Sequence, residues 1–245
     1  MLLKDLLYKV NVLKIIGPTD IKICDLQFDS RLVKNGAVFF AIKGIDHDGH
    51  NYINDVVRKK AIAVVVEDMP QNIYPNITYI KVVDTKKYMG IIASNFYKNP
   101  SKKIKLIGVT GTNGKTTIVS LLHQLFSLLG DKVGMLSTIE NKIINQITNA
   151  THTTPDILTI NRMLKNMVEK DCKYCFMEVS SHALVQNRLS GLSFSGGVFT
   201  NLTRDHLDFH NTFAEYRDVK KSFFDSLDED AFSLINIDDK NGAKM

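Results

Sequence analysis

Three cysteines stand in 245 residues, an odd number with no framework spacing. That excludes a fold stapled by disulfides. No apolar run approaches the roughly 20 residues that cross a bilayer. Residues 1–16 are interrupted by Lys4, Asp5, Lys9 and Lys14, so they form no signal-peptide core. A cytoplasmic location without a membrane partner is expected. There is neither an internal repeat nor a low-complexity tract. No long basic stripe occurs either: Lys59-Lys60 and Lys102-Lys103 are scattered pairs, read as solvated faces, and no nucleic-acid partner is expected. The net charge of +5 is modest and would suit a multiply phosphorylated substrate.

What remains is an ordinary globular composition, 44% hydrophobic, long enough for two domains. Cys172 and Cys175 form a C-x-x-C, but it leads into an apolar strand and no second pair follows. Buried or incidental thiols are the better reading than a redox or zinc site.

Strand-like and helix-like segments alternate throughout. Strands are expected at 22–28, 38–42, 61–66, 77–83, 106–109, 132–136, 174–179, 197–200 and 232–236. Helices are expected at 2–10, 52–60, 85–97, 115–129, 156–170, 182–188 and 213–227. Such alternation predicts an α/β fold with parallel sheets covered by helices. A polar, proline-containing cluster at 99–103 suggests a boundary. The expected organisation is a small α/β domain over 1–100, then a mostly parallel P-loop ATPase-like domain over 101–245. The second domain reads as incomplete, because its last strand has no helix behind it.

Residues 108–117 read GVTGTNGKTT between an apolar strand and a helix. Glycines let backbone N–H groups converge on one anion, and the helix N-terminus adds its positive end. Lys115 can reach the outer phosphates of a nucleotide, and the Thr116 hydroxyl can ligate Mg²⁺. Val109 stands where the usual first glycine would be, so the tight turn falls to Gly111. A glycine turn that binds nothing is the bland alternative.

Other strand ends carry polar groups. Glu178 ends the strand at 174–179, where open α/β sheets bind ligands; a capping carboxylate is the plainer reading. His206 and His210 are spaced i, i+4 after another strand, which raises a zinc site against solvated histidines. Residues 152–156 read HTTPD, with Thr154 as helix cap and Pro155 in the first turn. Phe28-Asp29-Ser30-Arg31 and the loop 43–50 are turns that could also hold a nucleotide-like group. Lys220 reads as a surface helix lysine, physically indistinguishable from Lys221.

Taken in order, DSR at 29–31, GIDHDGH at 44–50, GVTGTNGKTT, HTTPD, MEVSSHALVQNR at 177–188, FTNLTRDHLDFH at 199–210 and INIDD at 235–239 resemble the Mur ligases of peptidoglycan synthesis. The likeness is greatest to the branch that adds the third residue to UDP-N-acetylmuramoyl-L-alanyl-D-glutamate. It implies an ATP-dependent ligase working through an acyl phosphate. Gly111, Thr112, Asn113, Gly114, Lys115, Thr116 and Thr117 would cradle ATP, with Asn236 near adenine. Thr116 and Glu178 would hold one Mg²⁺, and His206 a second. Lys220 matches the lysine that the family carbamylates with CO₂. Lys115, Glu178, His206 and Lys220 would thus be catalytic. Phe28, Ser30, Ile45, Asp46 and His47 match the uridine-binding region. His152, Thr153, Thr154, Ser180, Gln186 and Arg188 match positions that hold the muramoyl-dipeptide and its diphosphate.

The implied partners are the UDP-muramoyl-dipeptide, ATP and either diaminopimelate or lysine, and a monomer is expected. Family members also carry a C-terminal domain that binds the incoming amino acid; nothing in this sequence corresponds to it, so these residues alone are expected to be inactive. Two alternatives stay open: a non-catalytic ATP or nucleotide-sugar module, and a ligase of the folylpolyglutamate-synthase kind.

Overall fold

The computed structural model describes residues 1–44, 47–203 and 212–245. The chain divides into two compact units, Met1–Lys98 and Asn99–Met245.

The first unit runs α1 (Leu3–Leu6), β1 (Lys14–Ile16), β2 (Asp25–Gln27), β3 (Ala37–Phe40), α2 (Ile53–Arg58), β4 (Ala63–Val66), β5 (Thr78–Lys81) and α3 (Thr85–Phe96). Among the described residues its sheet has the order β1-β5-β4-β3-β2. Strands β2 to β5 pair in parallel, while β1 closes one edge antiparallel to β5. Strands β3 (AVFF) and β4 (AVVV) are buried at every position. That is the signature of a parallel strand covered on both faces. Asp84 caps α3 by accepting the Lys87 N–H at 2.9 Å, the ordinary role of a carboxylate at a helix start.

The second unit runs β6 (Lys105–Thr110), α4 (Lys115–Leu128), β7 (Val133–Leu136), β8 (Glu140–Ile143), β9 (Gln146–Asn149), α5 (Ile157–Glu169), β10 (Tyr174–Glu178), α6 (Ser181–Val185), β11 (Gly196–Phe199), α7 (Phe213–Asp225) and β12 (Phe232–Ile235). Its sheet has the order β12-β11-β6-β10-β7-β8-β9. Pairing is parallel from β12 to β7 and antiparallel from β7 to β9. Along β6, Leu106 joins the core with α5 and α7, while Ile107 and Val109 join the core with Val119 of α4. The two-residue period of a strand thus distributes one apolar run between two helical layers.

Three differences from the sequence expectation have physical causes. The hairpin β8–β9 was not foreseen, because β9 is exposed throughout and carries no apolar alternation. Strand β1 is three residues long, too short for a periodic signal. The first helix occupies only Leu3–Leu6, and it buries just Leu3 and Leu6.

Candidate functional site

The ends of β6, β7, β10 and β11 share one edge of the sheet, because these four strands run parallel. Ligands of open α/β sheets sit at this carboxyl edge. A cavity of about 500 Å³ opens there, walled by the glycine loop, Thr138, the loop 152–154 and residues 178–188.

The glycine loop leaves β6 at Gly111, where φ is +147°. A Cβ there would lie 1.9 Å from Thr200 Oγ1, so only glycine fits both the backbone and the neighbour. The next turn is held from β11: Thr112 N–H donates to Asn201 O at 2.9 Å, and Asn113 N–H donates to Asn201 Oδ1 at 3.0 Å. Asn201 Nδ2–H and Thr200 Oγ1–H both donate to Asn113 O, at 3.1 and 2.7 Å. Gly114, at φ +83°, is the N-cap of α4. Lys115 Nζ donates to Gly111 O at 3.0 Å and Thr112 O at 2.8 Å, while its side chain lines the cavity.

Opposite stands Glu178, fully buried at the end of β10. It does not cap the following helix. Its Oε1 accepts Thr138 N–H at 2.8 Å and its Oε2 accepts the Thr138 hydroxyl at 3.2 Å. Ser180 caps α6 instead, accepting Ala183 N–H at 3.2 Å. Thr154 is not the cap of α5: Asp156 is, accepting Thr159 N–H at 2.9 Å. The Thr154 hydroxyl donates to Glu178 O at 2.8 Å and accepts Ser180 N–H at 3.1 Å. The correction has a simple cause, since a threonine whose chain neighbours fit a cap pattern can bond across the fold instead. Arg188 ties the remaining wall together through Nη1 to Thr154 O at 2.8 Å and Nη2 to Gln186 Oε1 at 2.6 Å. Burial pulls its pKa below the ordinary guanidinium value, partly opposed by Asp156; arginine remains cationic there at neutral pH.

One cavity wall therefore gathers Thr112, Asn113, Gly114, Lys115, Thr116, His152, Thr153, Thr154, Glu178, Ser180, Gln186 and Arg188, which lie up to 76 positions apart in sequence. Thr138 and His182 also line it and were missed. The rule that strand ends face the ligand would have found Thr138, just past β7. Asn236 lies elsewhere: its Nδ2 donates to Thr200 O at 2.7 Å, steadying the β11 loop. Asp239 steadies the same loop, accepting Leu202 N–H at 2.7 Å. Burial works against its charge, but N–H donors from Leu202 and Asn241 outweigh this and hold its pKa below the ordinary carboxylate value.

Lys220 differs sharply from Lys221. Its side chain is 1% exposed, its Nζ donates to Gly111 O at 3.0 Å, and it lies 4.7 Å from the Tyr216 ring centroid. The Tyr216 hydroxyl in turn meets Thr112 Oγ1 at 3.2 Å. Lys221 instead pairs with Asp225 on the outer face of α7. In the first unit, Phe28 is 40% exposed and Ser30 opens a 3₁₀ turn (Ser30–Leu32) capped by Asp29. His47 is exposed. Ile45, Asp46, His206 and His210 lie outside the described residues. Among the described residues no cluster of three His, Cys, Asp or Glu forms a metal centre, and no helix is long and apolar enough to cross a membrane.

A glycine loop between β6 and α4, opening on a polar cavity at the carboxyl edge of a parallel sheet, is the arrangement in which α/β proteins of the P-loop class cradle phosphate. The description "Mur ligase middle domain" matches residues 109–245, and "Mur ligase family, catalytic domain" matches residues 22–97. The chain belongs to the Mur ligase family. It is 53% identical over 246 residues to the UDP-N-acetylmuramoyl-L-alanyl-D-glutamate–2,6-diaminopimelate ligase of Cytophaga hutchinsonii, covering 100% of this chain and 51% of that protein. The ligase of the same name from Clostridium tetani is 43% identical over 247 residues, with 100% and 50% covered. A solved structure of a 2,6-diaminopimelate ligase superposes with a TM-score of 0.83 at 26% identity, over 100% of this chain and 49% of that one. The UDP-N-acetylmuramoylalanyl-D-glutamyl-2,6-diaminopimelate–D-alanyl-D-alanyl ligase of Acinetobacter baumannii shares the fold, with a TM-score of 0.66 at 19% identity, over 99% and 50%. The chain spans about half the length of the curated relatives it matches.

Proposed function

We propose that this chain supplies two parts of an ATP-dependent amide ligase acting on UDP-N-acetylmuramoyl-L-alanyl-D-glutamate: a nucleotide-sugar-binding unit over residues 1–100 and an ATP-binding unit over 101–245. Diaminopimelate is the proposed incoming amine, since the relatives at 43–53% identity carry that substrate in their names. The observation that carries the reading is the single cavity that brings Lys115 and Thr116 of the glycine loop together with Glu178, Thr154 and Arg188.

The chemistry follows from the charges. A substrate carboxylate oxygen attacks the γ-phosphorus of ATP, the bond to the bridging β–γ oxygen breaks, and ADP leaves. The amine then attacks the acyl carbon, phosphate departs, and a proton is released as the amide forms. Carboxylate and triphosphate repel each other, so the site must supply positive charge and fixed donors. Lys115 and the first-turn N–H groups of α4 would do so on the ATP side. Arg188 would do so on the substrate side.

The residues fit a divalent cation. Glu178 is a buried carboxylate already oriented by two Thr138 donors, and Thr116 lines the same cavity. Oxygen donors of this kind suit Mg²⁺, which would offset phosphate charge when bound. Lys220 would carry a carbamate, formed when its neutral amine adds CO₂ and loses a proton; this turns a cation beside the glycine loop into an oxygen ligand. His206, outside the described residues, belongs to the same proposal.

The test is Lys115→Ala in a protein of the relatives' full length, with amide product followed by mass spectrometry against diaminopimelate and lysine. Loss of about 10²–10³-fold in turnover is expected. Near-normal turnover would remove the glycine loop from the mechanism, and a preference for lysine would correct the amine.

A further inference from the structure

We propose that His50 is a positioning residue for the first unit, holding the base of the 43–49 loop to the end of β4 while its imidazole is neutral. This rests on the reading of that unit as a uridine-nucleotide site.

The loop is closed at its base by three backbone contacts. Lys43 and Asp48 form an antiparallel bridge, Gly44 N–H donates to His47 O at 2.8 Å, and Gly49 N–H donates to Ile42 O at 2.8 Å. Those contacts lie within the loop. Two side chains tie it to the residues just beyond β4: Lys43, whose Nζ pairs with Asp68 and Glu67, and His50, whose side chain is 13% exposed. Its Nε2 receives the Glu67 N–H at 3.1 Å and the Asp68 N–H at 3.3 Å, just beyond β4. Its Nδ1 meets Asp48 Oδ1 at 2.6 Å, and Asp48 Oδ1 also accepts the His50 N–H at 2.9 Å.

These partners dictate the tautomer. Two backbone N–H groups can only donate, so Nε2 carries no proton, and Nδ1–H donates to Asp48. The chain of contacts continues: Glu67 Oε1 accepts Thr85 N–H at 3.0 Å at the start of α3. The imidazole thus joins the loop base to the end of β4, and the Glu67 carboxylate joins the end of β4 to the start of α3.

Protonation at Nε2 would set a donor against two donors and break the link. The surrounding charges are Asp48 on the loop, Glu67 and Asp68 after β4, Lys43 after β3, and Lys81 ending β5, which acts on Asp68. The direction follows from the donor count alone: the anchor exists on the alkaline side of the imidazole titration and is lost on the acid side.

The experiment uses the 245-residue chain. Nitrogen-15 imidazole shifts report the tautomer, and calorimetry with UDP-N-acetylmuramic acid is run from about pH 8 down to about pH 5, spanning the imidazole range. The expected results are an Nδ1–H tautomer at the alkaline end and a roughly tenfold loss of affinity toward the acid end. His50→Gln keeps an acceptor near the Nε2 position but does not titrate, so it should bind well with a flat profile. His50→Ala should have a flat profile, binding at every pH about as weakly as the wild type does at the acid end, about tenfold below the alkaline wild type. An Nε2–H tautomer, or parallel pH profiles for wild type and both variants, would overturn the positioning role alone. Absence of wild-type binding at every pH would overturn the uridine-nucleotide reading and the positioning role with it.

Discussion

Replacing Gly111 by alanine tests the geometry of the glycine loop without depending on any reaction. Two costs add. The backbone sits at φ +147°, a region L side chains rarely adopt, at a cost of about 1–3 kcal/mol. The new Cβ would stand 1.9 Å from Thr200 Oγ1, 2.9 Å from Asn201 O and 3.0 Å from Asn201 N. Rotating Thr200 relieves only the first, and it breaks the Thr200 hydroxyl bond to Asn113 O. The other two contacts are backbone and must move, so overpacking adds about 1–3 kcal/mol. The sum, about 2–6 kcal/mol, is a large share of the roughly 5–15 kcal/mol that holds a domain folded. Gly114→Ala is the internal control. Its φ of +83° is also positive, but nothing lies within 4 Å of a Cβ there, so about 1–2 kcal/mol of backbone cost is all it pays. Urea unfolding followed by circular dichroism, with amide exchange of β6 and β11 to identify the second unit's transition, measures both. Gly111→Ala should also weaken ADP binding, because Asn201 holds the loop that it displaces. Equal stability of the two variants, or a worse loss in Gly114→Ala, would refute the close approach of the glycine loop to β11.

Thr154→Val should cost about 1–3 kcal/mol in urea unfolding, since it leaves the Ser180 N–H without its buried acceptor, whereas Thr153→Val should stay within about 0.5 kcal/mol. Ellman's reagent should titrate Cys24 alone in the native chain and all three cysteines in denaturant, because burial raises the pKa of both Cys172 and Cys175 and removes the reactive thiolate; rapid native reaction of all three would contradict the packing of β10. In a full-length enzyme, Lys220→Ala should lose about 10²-fold or more of ligation and recover partly with added short carboxylic acids, while Lys221→Ala should remain near wild type. The reverse outcome would show that the proposed carbamate had been assigned to the wrong lysine.

What could be read from the chain alone was whatever depends on near neighbours. A glycine loop between a strand and a helix needs ten consecutive residues and no tertiary partner, so residues 108–117 disclosed it. Apolar strands buried on both faces, such as β3 and β4, announce themselves by composition. Tertiary structure decided the rest, because contacts across the fold leave no local trace. The helix pattern of α7 treats Lys220 and Lys221 alike; packing against Gly111 and Tyr216 is what buries one and leaves the other paired with Asp225 at the surface. Thr154 carried a plausible cap signal, yet its hydroxyl crosses to Glu178 and Ser180 while Asp156 caps the helix. Thr138 had no motif at all, and it orients the buried carboxylate because β7 and β10 are neighbours in the sheet. Local sequence sets which elements form, through backbone geometry and apolar period; which side chains meet is set by sheet order, and that order exists only once the non-local strand pairings are made.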